Sequence, residues 1–496
     1  MKKSIYHLMP TITAYFFILL FCYASVSKLL DFENFQVQIA QSPLLSAYAG
    51  YISYAVIIAE LFFALLLVIP YSRLLGLYCS LAIMISFTIY IYLILNFSDF
   101  IPCSCGGILE KLGWTEHLFF NLGCILLALT SILLVEYDKM KKILHYSLNI
   151  VAISIASTSV VVYLFYSSEY TIKNENNFTR RYFPNALFED NRVSLDHQFY
   201  YFAGNNSDSI FLGDITSPLQ IKIIGSDLRK VENLKVGLDS YDYSFKRLRL
   251  TVKDNYYYFS DGSVPIIYMG RFNQSSAKTV SYRQVYFNQF IPIDSTRFVF
   301  RTISAKTKSF TLGIQKYDSR EKAVMHPEII TKQADGIFDS DGNLISSRQN
   351  AYLIYTYIYR NQFILMDENL NILSTQNTID TTSVAKIQTK TLADGRTKMN
   401  APPFKVNKLQ ASVNKLLLNQ SDLIGKNESE KRWKSSWAID IYNFEKKQYI
   451  ASFYIPHNKG EKLTGLLATK DRIYVLTSSE LISYRYRNNL SSIINK

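Results

Sequence analysis

Residues 74–107 read LLGLYCSLAIMISFTIYIYLILNFSDFIPCSCGG. Positions 74–97 carry no charge. As a helix they are long enough to cross a hydrocarbon core of ~30 Å, which takes about 20 residues. Pro102 then stops helical continuation, because the residue before a proline avoids helical angles. Gly106 and Gly107 let the backbone reverse. Between these breaks stand Cys103 and Cys105, two thiols one residue apart. The reading is a membrane helix that empties into a tight thiol loop at the membrane surface.

Four more runs of the same kind lie at 11–30, 50–69, 117–135 and 147–166. The chain has 496 residues, enough for two or more domains. Its composition changes near residue 168. Before that point charges nearly cancel, so the net charge of +13 falls on the remainder, which is polar and rich in Tyr and Asn.

The charges between the runs predict an orientation. Lys2 and Lys3, Arg73, and Lys139, Lys141 and Lys142 fall in one set of loops. Asp31, Glu33, Asp99, Glu110, Lys111 and Glu116 fall in the alternate set. Basic residues gather on the cytoplasmic side. The N-terminus is therefore expected inside a bacterial inner membrane, with the thiol loop and the C-terminal part in the periplasm. The basic character of that part does not oppose this, since long domains cross largely regardless of charge. The first run has the basic start of a signal peptide but no small-x-small site, so it reads as an uncleaved helix. Phe21 before Cys22, where a small residue is needed, argues against a lipoprotein site.

Five cysteines are present, at 22, 79, 103, 105 and 124. Cys22, Cys79 and Cys124 fall inside apolar runs and read as small packing residues. Cys103 and Cys105 admit three readings. A Cys-x-Cys disulfide closes a very small ring whose strain makes it a better oxidant, suited to an oxidising compartment. The pair is otherwise a static structural element, or part of a soft-metal site. Two thiolates alone are too few for closed zinc, so that last reading would need His117.

Glu60 sits roughly 14 Å along its helix from the outer surface. At that depth a carboxyl needs a partner, and Lys28 is the candidate, unless it snorkels to the headgroups. Glu60 and His117 are both candidates to take a proton from a cysteine and so generate the attacking thiolate. Trp114 reads as an interfacial anchor.

The region 5–136 resembles the MauE family, within the DoxX-like group of four-helix membrane proteins. The residues that carry the resemblance are Ser27-Lys28-Leu29, Asp31-Phe32, Phe35, Glu60-Leu61, Arg73-Leu74-Leu75-Gly76-Leu77 and Tyr90-Ile91. They continue through Pro102-Cys103-Ser104-Cys105-Gly106-Gly107, Glu110, Leu112-Gly113-Trp114, His117 and Asn121. The resemblance implies a redox-associated membrane protein; the family's namesake is linked to disulfide formation in methylamine dehydrogenase during export. A fifth helix and more than 300 further residues depart from the family pattern, so the client need not be shared. Gly213–Pro218 and Trp437–Ile455 resemble the C-terminal half of large family members from Bacteroidetes-like bacteria.

From about 170 onward the sequence reads as all-β. Aromatic and β-branched runs flank turn residues at 199–213, 256–268, 363–373 and 437–453, the signal of hairpins. Their spacing suggests a β-propeller, although no sharp blade signature recurs. The polar stretch 375–435 reads as an inter-blade insertion or a long loop. The many tyrosines are what half-buried strands use. No phosphate loop, metal spacing or nucleophile–base pair is found there, and a nucleic-acid role is not expected.

The expected architecture is a four-helix membrane domain (1–136), a fifth transmembrane helix with linker (137–169), and a periplasmic propeller-like domain (170–496). The expected site is Cys103, Cys105, Glu60 and His117. The expected partners are membrane lipids and an exported client or periplasmic protein, with electrons leaving to a quinone or a partner redox protein. The alternative is a non-enzymatic binding or sensing protein with a structural cysteine pair.

Overall fold

This computed structural model describes every residue except 1, 42–48, 98–112, 139–142, 174–175, 184, 318–320, 348–350, 394, 396, 402, 459 and 496. The chain divides into two compact units. One is Met1–Asn174 with Ile387–Pro403, and the other is Glu175–Lys386 with Phe404–Lys496.

Among its described residues the first unit holds six helices: α1 (Lys2–Leu30), α2 (Phe32–Gln41), α3 (Ala49–Val68), α4 (Arg73–Phe97), α5 (Trp114–Asp138) and α6 (Ile143–Lys173). Five contain spans long and apolar enough to cross a membrane: Leu8–Leu30, Gly50–Val68, Arg73–Asn96, Trp114–Glu136 and Tyr146–Phe165. Helices α1, α3, α4 and α5 pack in a closed cycle, and α6 lies outside it against α4. Apolar packing alone does not distinguish lipid from protein, so close fit and buried hydrogen bonds hold such a bundle. Phe17, Phe21, Leu67, Leu81, Cys124 and Ile132 fill its centre. Ser131 on α5 donates to Thr13 on α1 at 2.8 Å, both buried. Leu19, Ile58, Leu126 and Ile155 face outward, as lipid contact requires.

Helix α2 was not expected. The sequence places Phe32, Phe35 and Ile39 on one helical face, and Phe35 and Ile39 bury against Ile57 of α3. This i, i+3, i+7 spacing is the pattern of a helix with one apolar stripe.

The second unit is a six-bladed β-propeller. Five blades run consecutively through 200–235, 249–282, 289–326, 342–377 and 407–456. The short strand Gly237–Leu238 adds in parallel to the outer strand of the second blade. The sixth blade takes Leu463–Ala468, Arg472–Thr477 and Glu480–Tyr486 from the C-terminal end, and Leu187–Ser194 from the beginning of the unit. The first strands of successive blades lie against one another in order, and the last returns to the first. Those six strands line the centre.

The hairpins read from the sequence are all present. They occupy different places in their blades: strands one and two at 200–214, two and three at 256–271, three and four at 362–377 and at 436–456. Their uneven spacing follows from that. The expectation for 375–435 needs correction. It contains two full blade strands, Asn407–Val413 and Leu416–Ser421. The second is buried along its whole length yet ends Asn419-Gln420-Ser421. Asn419 belongs to a buried amide ladder that joins the fourth and fifth blades. Asn343 donates to Gln410 at 2.9 Å, Gln410 to Asn419 at 2.8 Å, and Asn419 to Asn407 at 2.7 Å.

A turn device recurs where no blade signature was seen. Asp214, Asp261 and Asp294 each accept the N–H and the O–H of the Thr or Ser two residues on. This is the local turn that an aspartate side chain favours. Asp261 also takes the backbone N–H groups of Lys246 and Arg247, both at 2.7 Å. A side chain at Gly262 would collide with the Phe287 carbonyl at 1.7 Å, so only glycine fits inside this turn.

Arg180 fixes the start of the propeller chain. Its side chain is fully buried and bonds Asp440 at 2.7 Å and Glu428 at 2.8 Å. Burial works against its charge, but Asp440 and then Glu428 outweigh this and raise its pKa well above the ordinary value. Next to it, Ser452 N–H donates to the Arg181 carbonyl and Phe183 N–H to that of Ser452.

Replacing Arg180 with Ala leaves two carboxylates buried without their cation. The expected loss is about 3–5 kcal/mol, read as a lower midpoint in denaturant unfolding of the full chain. Asp261 gives a pH prediction. Burial alone would raise its carboxyl, but the donated N–H and O–H groups lower it below the ordinary 3.8. Its contribution is therefore complete above that value and fades as pH falls through the folded-state pKa. Unfolding midpoints measured against pH should fall less steeply in this acidic range for Asp261→Asn than for the native chain.

Candidate functional site

Glu60 lies mid-way along α3 and is 1% exposed. Lys28 donates to its Oε1 at 2.5 Å and Ser25 to its Oε2 at 3.0 Å. Both partners come from the last turns of α1, three residues apart, so they share one face of that helix. The Lys28 ammonium also lies 5.6 Å from the centre of the Phe35 ring on α2. With Phe35 beside it and 13% of its side chain exposed, Lys28 turns inward to the carboxylate instead of reaching for headgroups.

The pairing fixes the level at which α1 ends. Glu60 is ten residues beyond Gly50, about 15 Å along α3 at 1.5 Å per residue. The C-terminal turn of α1 meets α3 at this depth. Helix α2 packs along the preceding stretch of α3 through Phe35 and Ile39. The Glu60 ion pair is therefore enclosed by three helices. A carboxylate kept in hydrocarbon needs such a cation and such donors.

His117 lies in the first turn of α5, half-buried, with its ring 6.4 Å from that of Trp114. Cys103 and Cys105 lie outside the described residues. Cys22, Cys79 and Cys124 are free thiols within the helices. A second buried carboxyl escaped the sequence reading. Glu136, near the end of α5, is 1% exposed and accepts from the Tyr78 hydroxyl at 3.3 Å. Its sequence signal was an acid directly after the apolar run 117–135, still within the helix. Among the described residues no group of three His, Cys, Asp or Glu side chains is placed to hold a metal.

In the propeller, a cavity of about 1180 Å³ opens where the first strands of the blades turn into the second. Asn206, Lys253, Asn414, Lys470 and Arg472 are among its lining residues. It is somewhat larger than the roughly 300–1,000 Å³ of ordinary small-molecule sites. The face is the opposite one from that at which the chain reaches the propeller, since Phe178 bonds Lys426 in the loop between the second and third strands of blade five. The tyrosines do not line this cavity as a group. Tyr257, Tyr258, Tyr268, Tyr355, Tyr357 and Tyr442 are packed inside the blades.

Residues 6–134 match one protein family, described as methylamine utilisation protein MauE. The matched stretch covers the four-helix cycle, which is MauE-like. No curated protein matches the chain. The propeller resembles many solved structures at low identity. A DUF4221-family member from Bacteroides vulgatus shares 10% identity with a TM-score of 0.42, over 61% of this chain and 97% of the other. A streptogramin B lyase shares 10% at 0.35, over 61% and 97%. YCF48 bound to D1 peptide shares 7% at 0.37, over 62% and 98%.

Within the MauE-like domain, removing one member of the buried pair should cost far more than removing both. Lys28→Met strands the Glu60 carboxylate and is expected to lower the melting temperature in detergent. Lys28→Met combined with Glu60→Leu should recover most of the loss, because a buried ion pair replaced by apolar groups is often neutral.

Proposed function

We propose that the MauE domain oxidises thiols of exported proteins through Cys103 and Cys105, and that the propeller recruits or positions the client. The observation that carries this reading is the Cys-Ser-Cys loop inside a MauE-family domain. In the forward step a client thiolate attacks one sulfur of the Cys103–Cys105 disulfide. A mixed disulfide forms and the other cysteine leaves as a thiolate. The second client thiolate then attacks the mixed disulfide. The client leaves oxidised and the pair is left reduced by two electrons. A quinone or a partner redox protein takes those electrons and restores the disulfide. Glu60 and His117 are the groups proposed to accept protons in this cycle; the inward-facing Lys28–Glu60 pair supports a proton-handling or positioning role in the bundle.

The same proposal places the N-terminus in the cytoplasm and the thiol loop and propeller in the periplasm. The distribution of Lys and Arg among the loops supports it. A second reading rests on the propeller cavity. In it the chain is a membrane-anchored binding or sensing protein, and the cysteine pair is structural.

Thiol trapping in intact cells separates the two. A cycling pair gives a mixed population with a potential above about −230 mV, whereas a structural disulfide resists reduction below about −300 mV. Cys103→Ser is expected to abolish client oxidation while insertion and propeller folding persist. Client oxidation unchanged in that variant would refute the redox reading.

A further inference from the structure

Residues 387–403 leave the propeller between its fourth and fifth blades and belong to the membrane unit. They form a small ribbon in which Thr389–Thr391 pairs antiparallel with Thr397–Met399. A two-stranded ribbon of this size is not stable by itself in water. Yet Leu392 and Met399 are buried, at 6% and 8% exposure. The strand Thr397–Met399 lies against α2. Glu33 and Gln36 stand three residues apart, on one face of α2, and both meet the ribbon. Glu33 Oε2 accepts from the Ala393 N–H at 3.3 Å, and Gln36 Oε1 from the Lys390 ammonium at 3.5 Å. Helix α2 is thus held from two sides. Toward α3, Phe35 and Ile39 bury against Ile57, and the Phe32 ring lies 4.8 Å from that of Tyr54.

Both ends of the ribbon are rooted in the propeller. On the way out, Asp380 accepts the Thr378 hydroxyl and the Thr382 N–H. The Thr382 carbonyl accepts from the Asn361 N–H, and Gln333 Oε1 from the Ala385 N–H, both at 2.8 Å. On the return, Phe404 packs with Phe178, Val406 and Leu423, and the Val406 N–H donates to the Ile358 carbonyl at 2.8 Å. Between Ala385 and Phe404 the chain therefore projects from fixed points. What it reaches is the helix that covers a buried ion pair. The Phe35 ring stands beside the Lys28 ammonium, which pairs with Glu60. Helix α2 has only ten residues, too few to hold a helix without packing. Its position depends on what it rests against, and a segment with few buried contacts is the first to open.

We propose that residues 387–403 are a latch by which the propeller keeps α2 closed over the Lys28–Glu60 pair, and so controls the entry of water to that carboxylate. To the apolar contacts of α2 with α3 the latch adds two hydrogen bonds and the burial of Leu392 and Met399. Without it α2 opens locally while the rest of the bundle stays folded. Water then raises the dielectric around the pair and weakens its attraction, and Lys28 becomes accessible. This inference goes beyond the thiol chemistry proposed above and does not require it, because it concerns access to Glu60 alone.

The test is the rate at which an amine-acylating reagent modifies Lys28 in the full chain in lipid nanodiscs. Mass spectrometry reads it, with the exposed Lys446 as internal standard. Replacing residues 388–402 by a flexible Gly-Ser linker removes the latch and leaves both roots. We expect Lys28 to react about 5–30-fold faster in that variant, the range that loss of one or two ordinary hydrogen bonds produces. Amide hydrogen exchange should quicken in α2 and the last turn of α1, and keep its native rate in α4 and α5. Equal Lys28 rates in the two chains would overturn the proposal. Faster exchange throughout the bundle would also overturn it, because the ribbon would then be a general prop. If the linker variant does not fold, Met399→Asp places a carboxylate in the buried contact. It must then raise the Lys28 rate, and an unchanged rate is equally fatal.

Discussion

A ring of six sheets leaves no free gap only when its last sheet meets its first. Here the closing sheet takes three strands from the C-terminal end and its outer strand, Leu187–Ser194, from the residues that follow the last transmembrane helix. Those residues pair antiparallel with Glu480–Tyr486, nearly 300 positions away. Every other blade is a run of neighbouring strands and forms from local contacts. The sixth blade forms only when both ends of the unit come together, so the whole propeller depends on one long-range pairing. Arg180 stands just ahead of it, fixed by Asp440 and Glu428 of blade five. The chain that leaves α6 is thus pinned to one blade and then used to close the next.

Buried charge is the second theme, and the two units handle it alike. In the bundle Glu60 has Lys28 and Ser25. In the propeller Arg180 has two carboxylates and Arg301 has one, supplemented by neutral acceptors. Each set joins elements distant in sequence. Such groups add specificity more than net stability, because desolvation consumes much of the Coulombic gain. The amide ladder from Asn343 to Asn407 does the same work without charge. A buried polar network of this kind is favourable only when its members are satisfied together.

The MauE-like domain and the propeller carry different kinds of information about function. The first offers a Cys-Ser-Cys sequence within the stretch that matches the MauE family, and a carboxylate held inside the bundle by a cation. The propeller offers a cavity of about 1180 Å³ at the ends of its inner strands. The proposed division of labour assigns chemistry to the first and recognition to the second.

The sequence alone determined the membrane spans, because five long apolar runs leave a helix as the only structure whose backbone is satisfied in lipid. It also determined that a β-rich unit follows, through alternation and turn chemistry at the four hairpins. It named Glu60 as a group needing a partner, and Lys28 as the candidate, from depth and charge. Other features were decided only by tertiary structure. The depth of the Lys28–Glu60 pair depends on where α1 ends against α3, which no local pattern encodes. The blade count depends on Leu187–Ser194, a strand too polar and exposed to read as one until its partner is known. Leu416–Ser421 was hidden for the opposite reason: its polar residues are buried, and Asn419 is satisfied by Asn407 and Gln410 of the neighbouring strand, which only the paired sheet brings beside it.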